Sequence, residues 1–272
     1  MKIWIAAATA TLAAPMAWSA PLIDLTGSVG YSFNSLNEGT LANNSIDLKG
    51  SNATTEPVGL KQEAENGLYA YAKIGLPVLP DIGLKYESLV SSGTNELLTT
   101  ISYGGESETF SDDVDSELDM SYLDISLTYG FPLPLSTVDF GLNFRSMIGG
   151  FTAEAQNADQ SIDAPFEIEG APLIVPMLYL SGSFAPPIPS ADVLLSGELK
   201  TLPLGDTGIT DWNLKATYFA PLPTNALGKL GVEGGYRNYS LKIGDSTLGA
   251  DTEDFVSDVS YSGFFLGATV QF

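Results

Sequence analysis

The chain has 272 residues, 33 acidic against 11 basic side chains, and neither histidine nor cysteine, which gives a formal net charge of −22 at pH 7. This acidity excludes a general nucleic-acid binder, because such proteins need a basic surface to displace counterions. The missing histidine and cysteine exclude disulfides, an ordinary zinc site and histidine-dependent hydrolysis. We therefore predict no catalytic residue and no cofactor, although glycosidase chemistry that uses carboxylates alone is formally left open.

The first nineteen residues have the pattern of a secretory signal peptide. Lys2 supplies the positive start, residues 3–14 form a short apolar core, and Ala17 and Ser19 are the small residues of a cleavage site. A transmembrane anchor is the alternative, but the apolar run is too short and ends at Pro15. We predict a signal peptide at 1–19 and one mature domain at 20–272.

Ten segments of the mature chain alternate apolar and polar residues with the two-residue period of a β-strand. They are residues 23–33, 68–76, 82–87, 123–129, 138–145, 176–184, 193–200, 212–218, 230–237 and 264–272. Short proline-rich turns join strands on the side of the chain termini. Proline suits a turn because its φ is fixed and it has no N–H donor. These turns are residues 77–81, 131–134, 186–189 and 221–223. The connections on the other side are longer and polar: 34–66, 88–120, 148–172, a modest one around 205–208, and 244–254.

This rhythm predicts an all-β fold: a transmembrane antiparallel up-and-down β-barrel of about ten strands, with short periplasmic turns and long acidic outer loops. In hydrocarbon every backbone N–H and C=O needs a partner, and only a closed sheet provides strands with partners on both sides. Eight or twelve strands would result if the long loops rise as hairpins, and a soluble sandwich is the less favoured fold. Aromatic residues near strand ends are expected to form two interfacial girdles, namely Tyr31, Phe33, Tyr122 and Trp212 on the outer side and Tyr129, Phe184, Tyr218 and Phe272 on the inner side.

The final strand ends on an aromatic residue, as the closing strand of an outer-membrane barrel does. Gly267, Val270 and Phe272 resemble the C-terminal signal that the barrel assembly machinery reads, although Phe265 stands where that signal usually has a polar residue. The predicted location is the outer membrane of a Gram-negative cell, where the partners are membrane lipid and lipopolysaccharide.

Five stretches carry a further resemblance. They are LPVLPDI at 76–82, LDISLTY at 123–129, ITDW at 209–212, GGYRNYSL at 234–241 and GFFLGATVQF at 263–272. Together they resemble an uncharacterised proteobacterial family of small outer-membrane β-barrel proteins. The resemblance implies an outer-membrane barrel and no particular activity.

Charged residues at the predicted inward positions balance in sign. We expect a lumen charge network of Lys73, Lys85, Glu87, Asp124, Asp139, Arg145, Glu198, Lys200, Asp211, Lys215, Glu233 and Arg237. Side chains just fill the interior of an eight-stranded barrel, and the lumen of a ten-stranded barrel is only slightly wider. We favour mutual ion pairing that plugs the barrel, with a narrow porin-like pore for small solutes as the alternative.

The excess acidity falls on the predicted outer loops. Its residues are Glu106, Glu108, Asp112, Asp113, Asp115, Glu117, Asp119, Glu154, Asp159, Asp163, Glu167, Glu169, Asp245, Asp251, Glu253 and Asp254. The favoured interpretation is a solvated, self-repelling surface, and the alternative is weak binding of Ca²⁺ or Mg²⁺ shared with lipopolysaccharide phosphates. Asp113, Asp115 and Glu117 have part of an EF-hand spacing without its sixth-position glycine, and are weak calcium candidates. The sequence thus predicts a non-enzymatic outer-membrane barrel that is structural or presents its loops at the cell surface.

Overall fold

The structure, a computed structural model, describes residues 24–168, 170–204, 207–222, 228–243 and 256–272. The predicted signal peptide and the predicted loop 244–254 lie outside the described residues, as do residues 205, 206 and 223 of the predicted connections 205–208 and 221–223. The strands up to the middle of the chain are β1 (Asp24–Leu41), β2 (Ile46–Asp47), β3 (Val58–Gly59), β4 (Glu63–Ala64), β5 (Gly67–Gly75), β6 (Asp81–Glu87), β7 (Val90–Tyr103), β8 (Glu106–Asp119), β9 (Tyr122–Leu133) and β10 (Ser136–Met147). The later strands are β11 (Gly150–Ala155), β12 (Ser161–Pro165), β13 (Glu167–Ile168), β14 (Ala171–Pro172), β15 (Ile174–Phe184), β16 (Asp192–Leu204), β17 (Thr207–Phe219), β18 (Lys229–Ile243) and β19 (Ser257–Gln271). In the described part of the chain, no helix has the length and apolar character needed to cross a membrane.

Ten strands form a closed antiparallel barrel. The largest sheet has twelve strands, of which the two-residue strands β2 and β3 branch from β1. The other ten close on themselves, because β19 pairs with β1 from Thr26↔Gln271 to Thr40↔Asp258. Closure gives the wall strands backbone partners on both sides, as lipid requires. The predicted fold class and strand number are confirmed.

The short turns join β5 to β6, β9 to β10, β15 to β16 and β17 to β18, as predicted. They share one end of the barrel with the C-terminus, where the Phe272 amide donates to the Leu25 carbonyl at 2.8 Å. We call this the lower end. The opposite, upper end carries the long acidic connections.

Much of these upper connections is folded as a second sheet. The sequence left hairpins in the long loops open as an alternative but did not predict a sheet. Strands β7 and β8 form a hairpin of two 14-residue strands, and the sheet order is β12-β11-β8-β7-β4. We call these five strands the cap sheet. On β8, Phe110 and Leu118 are buried while Asp113, Asp115 and Glu117 are exposed. The segment has strand alternation, but its acidity favoured the interpretation as a loop.

The barrel wall reverses its polarity along its height. In the lower part of β18, Val232 is exposed outward and Glu233 is buried inside the lumen. In the upper part the exposed residue is Lys242, and Tyr239 and Leu241 are buried. The expected arrangement, with apolar residues outward and polar ones inward, therefore holds for the lower wall and is wrong for the upper wall, which has the polarity of a water-soluble protein.

An apolar core fills the space between the upper wall and the cap sheet. It includes Leu97, Ile101, Phe110, Val114, Leu118, Phe151 and Ile162 from the cap sheet, and Leu36, Met147, Met177, Ile209, Tyr239, Leu241, Val259 and Tyr261 from the wall. The Ser91 and Tyr261 hydroxyls, 3.0 Å apart, also join the two parts. The long wall strands, with 18 residues in β1 and 15 in β19, extend past the membrane level to reach this core.

Candidate functional site

The lumen of the lower barrel brings together all twelve residues of the predicted charge network. Each lies on the inner face of the wall and makes at least one ion pair. Eight form a layer across the lumen, which we call the ion layer: Lys85, Glu87, Asp124, Arg145, Glu198, Lys200, Asp211 and Arg237. The other four, together with Asp81, form pairs nearer the lower end.

Arg145 is the centre of the ion layer and is fully buried. Its Nε and Nη2 donate to the two carboxylate oxygens of Asp124, both at 2.8 Å. Nη2 also donates to Asp211 at 2.6 Å. The guanidinium lies 3.5 Å from the centre of the Tyr122 ring. A planar guanidinium suits this role because it can bond two carboxylates and stack on an aromatic face together.

Arg237, on β18, extends the ion layer. Its guanidinium donates through Nε and Nη2 to Asp211, both at 2.8 Å, and through Nη1 to Glu87 at 2.7 Å. Lys85 also pairs with Glu87, with 2.8 Å between its Nζ and a carboxylate oxygen of Glu87. Tyr122 is the residue that the prediction misplaced: we expected it in the outer aromatic girdle, but it is completely buried and accepts a hydrogen bond from Arg237. Strand alternation requires this position, because its neighbour Leu123 points outward.

Lys200 closes the other side of the layer. Its Nζ lies 2.9 Å from Asp124 and 3.2 Å from Glu198. Glu198 also accepts hydrogen bonds from Tyr179 at 2.9 Å and Asn213 at 3.2 Å. The ion layer therefore holds four cations and four anions, so it is neutral as a whole. Removing ions from water costs free energy, which mutual pairing and additional hydrogen bonds offset.

The lower pairs are more exposed to water. Lys73 bridges Asp81 at 3.1 Å and Asp139 at 3.0 Å, and Lys215 pairs with Glu233 at 2.9 Å. Asp81 was assigned to a turn by its sequence position and so was missed from the network. Lys73 and Lys215 each keep 24% of their side-chain area exposed, which shows that this part of the lumen communicates with solvent at the lower end.

A buried tyrosine connects these pairs to the closing strand. The Tyr69 hydroxyl donates to Glu233 at 2.8 Å. Its ring needs the space left by two glycines, because an added Cβ would lie 2.4 Å from the ring at Gly30 and 2.2 Å from the hydroxyl at Gly267. Gly267 therefore has a packing role in addition to its predicted part in the assembly signal. The other two residues of that predicted signal are at the end of the chain: Val270 lies on β19 and Phe272 directly follows it.

A cavity of about 170 Å³ lies between the ion layer and the lower end. Its lining includes Tyr71, Lys85, Tyr179, Lys215 and Glu233. Above the ion layer the lumen is occupied by the apolar core, to which the Tyr122 ring also belongs. The cavity is thus a polar recess that the ion layer and the core separate from the upper end.

The weak calcium candidates lie on a strand. Asp113, Asp115 and Glu117 are successive outward residues of β8, and such neighbours stand roughly 7 Å apart along a strand, unlike ligands in a curved calcium loop. Within the described ranges, no three acidic side chains are grouped to hold a metal ion. Burial, with the charges of Asp119 and Glu65, raises the pKa of the Glu117 carboxyl.

Other predicted acidic positions are dispersed. Glu154 and Asp163 lie on β11 and β12 of the cap sheet, and Glu167 lies on β13. The final predicted acids, Glu169, Asp245, Asp251, Glu253 and Asp254, lie outside the described residues.

The closed wall, its apolar lower exterior and its charged lumen define the protein class as a transmembrane β-barrel of the outer-membrane type. The solved structures that the chain is similar to include a Pseudomonas aeruginosa FadL homologue, with 9% sequence identity, a TM-score of 0.33, and coverage of 93% of this chain and 90% of that chain. No protein-family model matches the sequence, and no curated protein matches it. The resemblance to the uncharacterised proteobacterial family therefore stays a prediction from its five motifs.

Proposed function

We propose that this protein is a plugged, non-enzymatic barrel of the Gram-negative outer membrane that holds a folded acidic sheet at the cell surface. The observation that carries the proposal is the presence of two barriers in series within the lumen. In the ion layer each charged group is paired with one of opposite sign, and the apolar core lies directly above the layer. A hydrated solute would have to separate buried ion pairs and then enter an apolar interior, and both steps are unfavourable.

The twelve lumen residues act in this proposal as cross-links rather than as a substrate pathway. Most ion pairs of the layer join different strands; Arg145 on β10, for example, bonds Asp124 on β9 and Asp211 on β17. The pairs of Lys85 with Glu87 and of Lys200 with Glu198 lie within one strand. Side chains from distant strands thus brace the lower wall, whose outer surface faces lipid. The cap sheet then faces the lipopolysaccharide layer with its acidic outer face, where divalent cations are the expected counterions. Export by the predicted signal peptide and insertion by the assembly machinery belong to the same proposal.

Conductance measurements separate the plugged barrel from a narrow pore. Folded protein is reconstituted in planar bilayers, with a porin added afterwards to the same membrane as a positive control. A heat-dependent mobility shift on gels verifies that the inserted protein is folded. We expect no current steps before the porin is added, because the two barriers block the lumen. Steps of porin size from the protein alone would contradict the proposal and favour the pore.

Cysteine labelling on intact cells tests the surface presentation of the cap sheet. The chain has no cysteine, so a single one can be placed at Thr152, exposed on the cap sheet, or at Ser181, part-buried in the lower lumen. A membrane-impermeant maleimide should label Thr152→Cys on intact cells, and Ser181→Cys only after the outer membrane is permeabilised. The reverse pattern would show that the cap sheet faces the periplasm.

A further inference from the structure

The turns at the lower end are unlike water-exposed turns in composition. Residues 74–80, 131–138, 184–191 and 219–222 contain no charged side chain. Their exposed members include large apolar residues: Val78 is 96% exposed, Leu79 62%, Leu135 54% and Ile188 48%. A turn that stays in water normally carries polar residues, because exposed aliphatic groups order water at a cost in free energy.

The backbone of these turns has few donors left to satisfy. Eight prolines, which have no N–H, lie in the four segments: Pro77, Pro80, Pro132, Pro134, Pro186, Pro187, Pro189 and Pro221. Several remaining amides donate within the protein, for example Leu76 to the Asp81 carboxylate at 3.1 Å and Ala185 to the Leu135 carbonyl at 2.7 Å. Such a backbone has few unpaired N–H groups to take out of water, and its carbonyl groups still need a partner.

The charges at the lower rim lie on the inner face of the wall. Asp81 pairs with Lys73 in the lumen, and Asp192 pairs with Lys229 at 2.7 Å. Both residues of the second pair lie at inward positions, since Asp192 is opposite the buried Phe219 and Lys229 is two residues from the inward Gly231. The outward surface of the described lower wall is therefore uncharged down to the turns, and the apolar turns continue the lipid-facing band.

The apolar band of the wall reaches the height of a membrane only if residues of the turns are counted as part of it. The outward residues of β6 run only from Ile82 to Tyr86, which is about 13 Å along the strand at roughly 3.3 Å per residue, whereas an outer-membrane apolar band is about 25 Å tall. On β9 the outward run from Leu123 to Leu133 is about 33 Å along the strand, or about 25 Å at a tilt near 40°. This match is reached only when the last residue before the turn is included.

We infer that the lower turns at 74–80, 131–138 and 184–191, with residues 219–222 of the fourth, are a lipid-binding surface. They insert at the boundary between the headgroups and the acyl chains of the inner leaflet of the outer membrane, where water still reaches their backbone carbonyl groups. The occupant is membrane lipid, because the turn surface is continuous with the lipid-facing wall and carries no charge that would select a polar partner. The barrel then sits low in the bilayer. This position leaves the upper wall and the cap sheet outside the hydrocarbon, in agreement with their polar exteriors.

Spin labels on single cysteines test the inference in the full-length mature chain, reconstituted at low density in phosphatidylcholine vesicles. Nitroxides are placed at Val78→Cys, Leu135→Cys and Ile188→Cys. Leu142→Cys, on the lipid-facing wall, is the lipid control, and Thr152→Cys, on the cap sheet, is the water control. Power saturation compares collisions with oxygen, which partitions into lipid, and with a nickel chelate, which stays in water.

The expected result is an oxygen and nickel accessibility at all three turn positions that is closer to that of Leu142→Cys than to that of Thr152→Cys. Nickel accessibility equal to that of Thr152→Cys would place the turns in water and overturn the inference. Low accessibility to both reagents would indicate that the turns are covered by another protein copy, and would overturn it as well. Mobility shifts on gels confirm that each labelled variant is folded, and labels on three independent turns allow for one variant that does not fold.

Discussion

Replacing Arg145 by methionine should be among the most damaging single changes in the barrel. The variant keeps much of the side-chain volume but removes three hydrogen bonds to Asp124 and Asp211 and the stacking on Tyr122. It also leaves the ion layer with three cations for four anions. Breaking a buried ion pair by removing one partner costs about 3–5 kcal/mol, and we expect a loss of unfolding free energy in this range.

A double variant distinguishes charge imbalance from lost packing. Arg145→Met with Asp124→Asn restores three cations and three anions, so it should be more stable than Arg145→Met alone, with a coupling of at least about 1 kcal/mol. The matched control is Lys242→Met, because the pair of Lys242 and Asp258 is exposed and 3.5 Å long and should contribute no more than about 1 kcal/mol. Urea unfolding in lipid vesicles, followed through Trp212 fluorescence, measures all three. If Arg145→Met costs no more than the control, or the double variant is no better than the single one, the reasoning about the ion layer is wrong.

Three further changes have defined outcomes. Gly267→Ala should destabilise the folded barrel by about 1–3 kcal/mol through overpacking against Tyr69, whereas Gly182→Ala, with 3.9 Å to the nearest atom, should be near neutral in the same urea titration. Glu117→Gln should raise the melting temperature at pH 7. Because the pKa of the Glu117 carboxyl is raised in the folded state, the protonated carboxyl favours folding at pH values below its ordinary pKa of 4.5. Once the pH rises above the folded-state pKa, the ionised carboxylate opposes folding. The difference should vanish in acid, and an equal benefit at all pH values would rule out titration as its cause. Leu118→Ala, in the core, should lose about 2–5 kcal/mol and make the cap sheet sensitive to protease while the lower barrel keeps its gel mobility shift; protection equal to the wild type would show that the cap sheet does not depend on this core.

Strand alternation is a local property, and the sequence alone determined what depends on it. Residues such as Leu142 and Asn143 take opposite faces because successive side chains on a strand must do so, which gave the ten wall strands and the twelve inward charges. The proline turns gave the side on which the strands are joined. Opposite charges in a narrow lumen were expected to pair, but the sequence did not predict which residues pair with which. Residues on distant strands, such as Arg145 and Asp211, come into contact only when the barrel closes.

Only the tertiary structure decided which medium each face meets. Tyr239 and Leu241 alternate just as Val232 and Leu230 do, yet the first pair is buried against the cap sheet and the second is exposed outward at the membrane level. Alternation is symmetric between the two faces of a strand, and the difference depends on what packs over each face. The cap sheet itself was hidden because its acids suggested a solvated loop. Its strands are stabilised by an apolar core to which distant wall strands also contribute residues. A local pattern contains no information on these contacts between segments far apart in the chain.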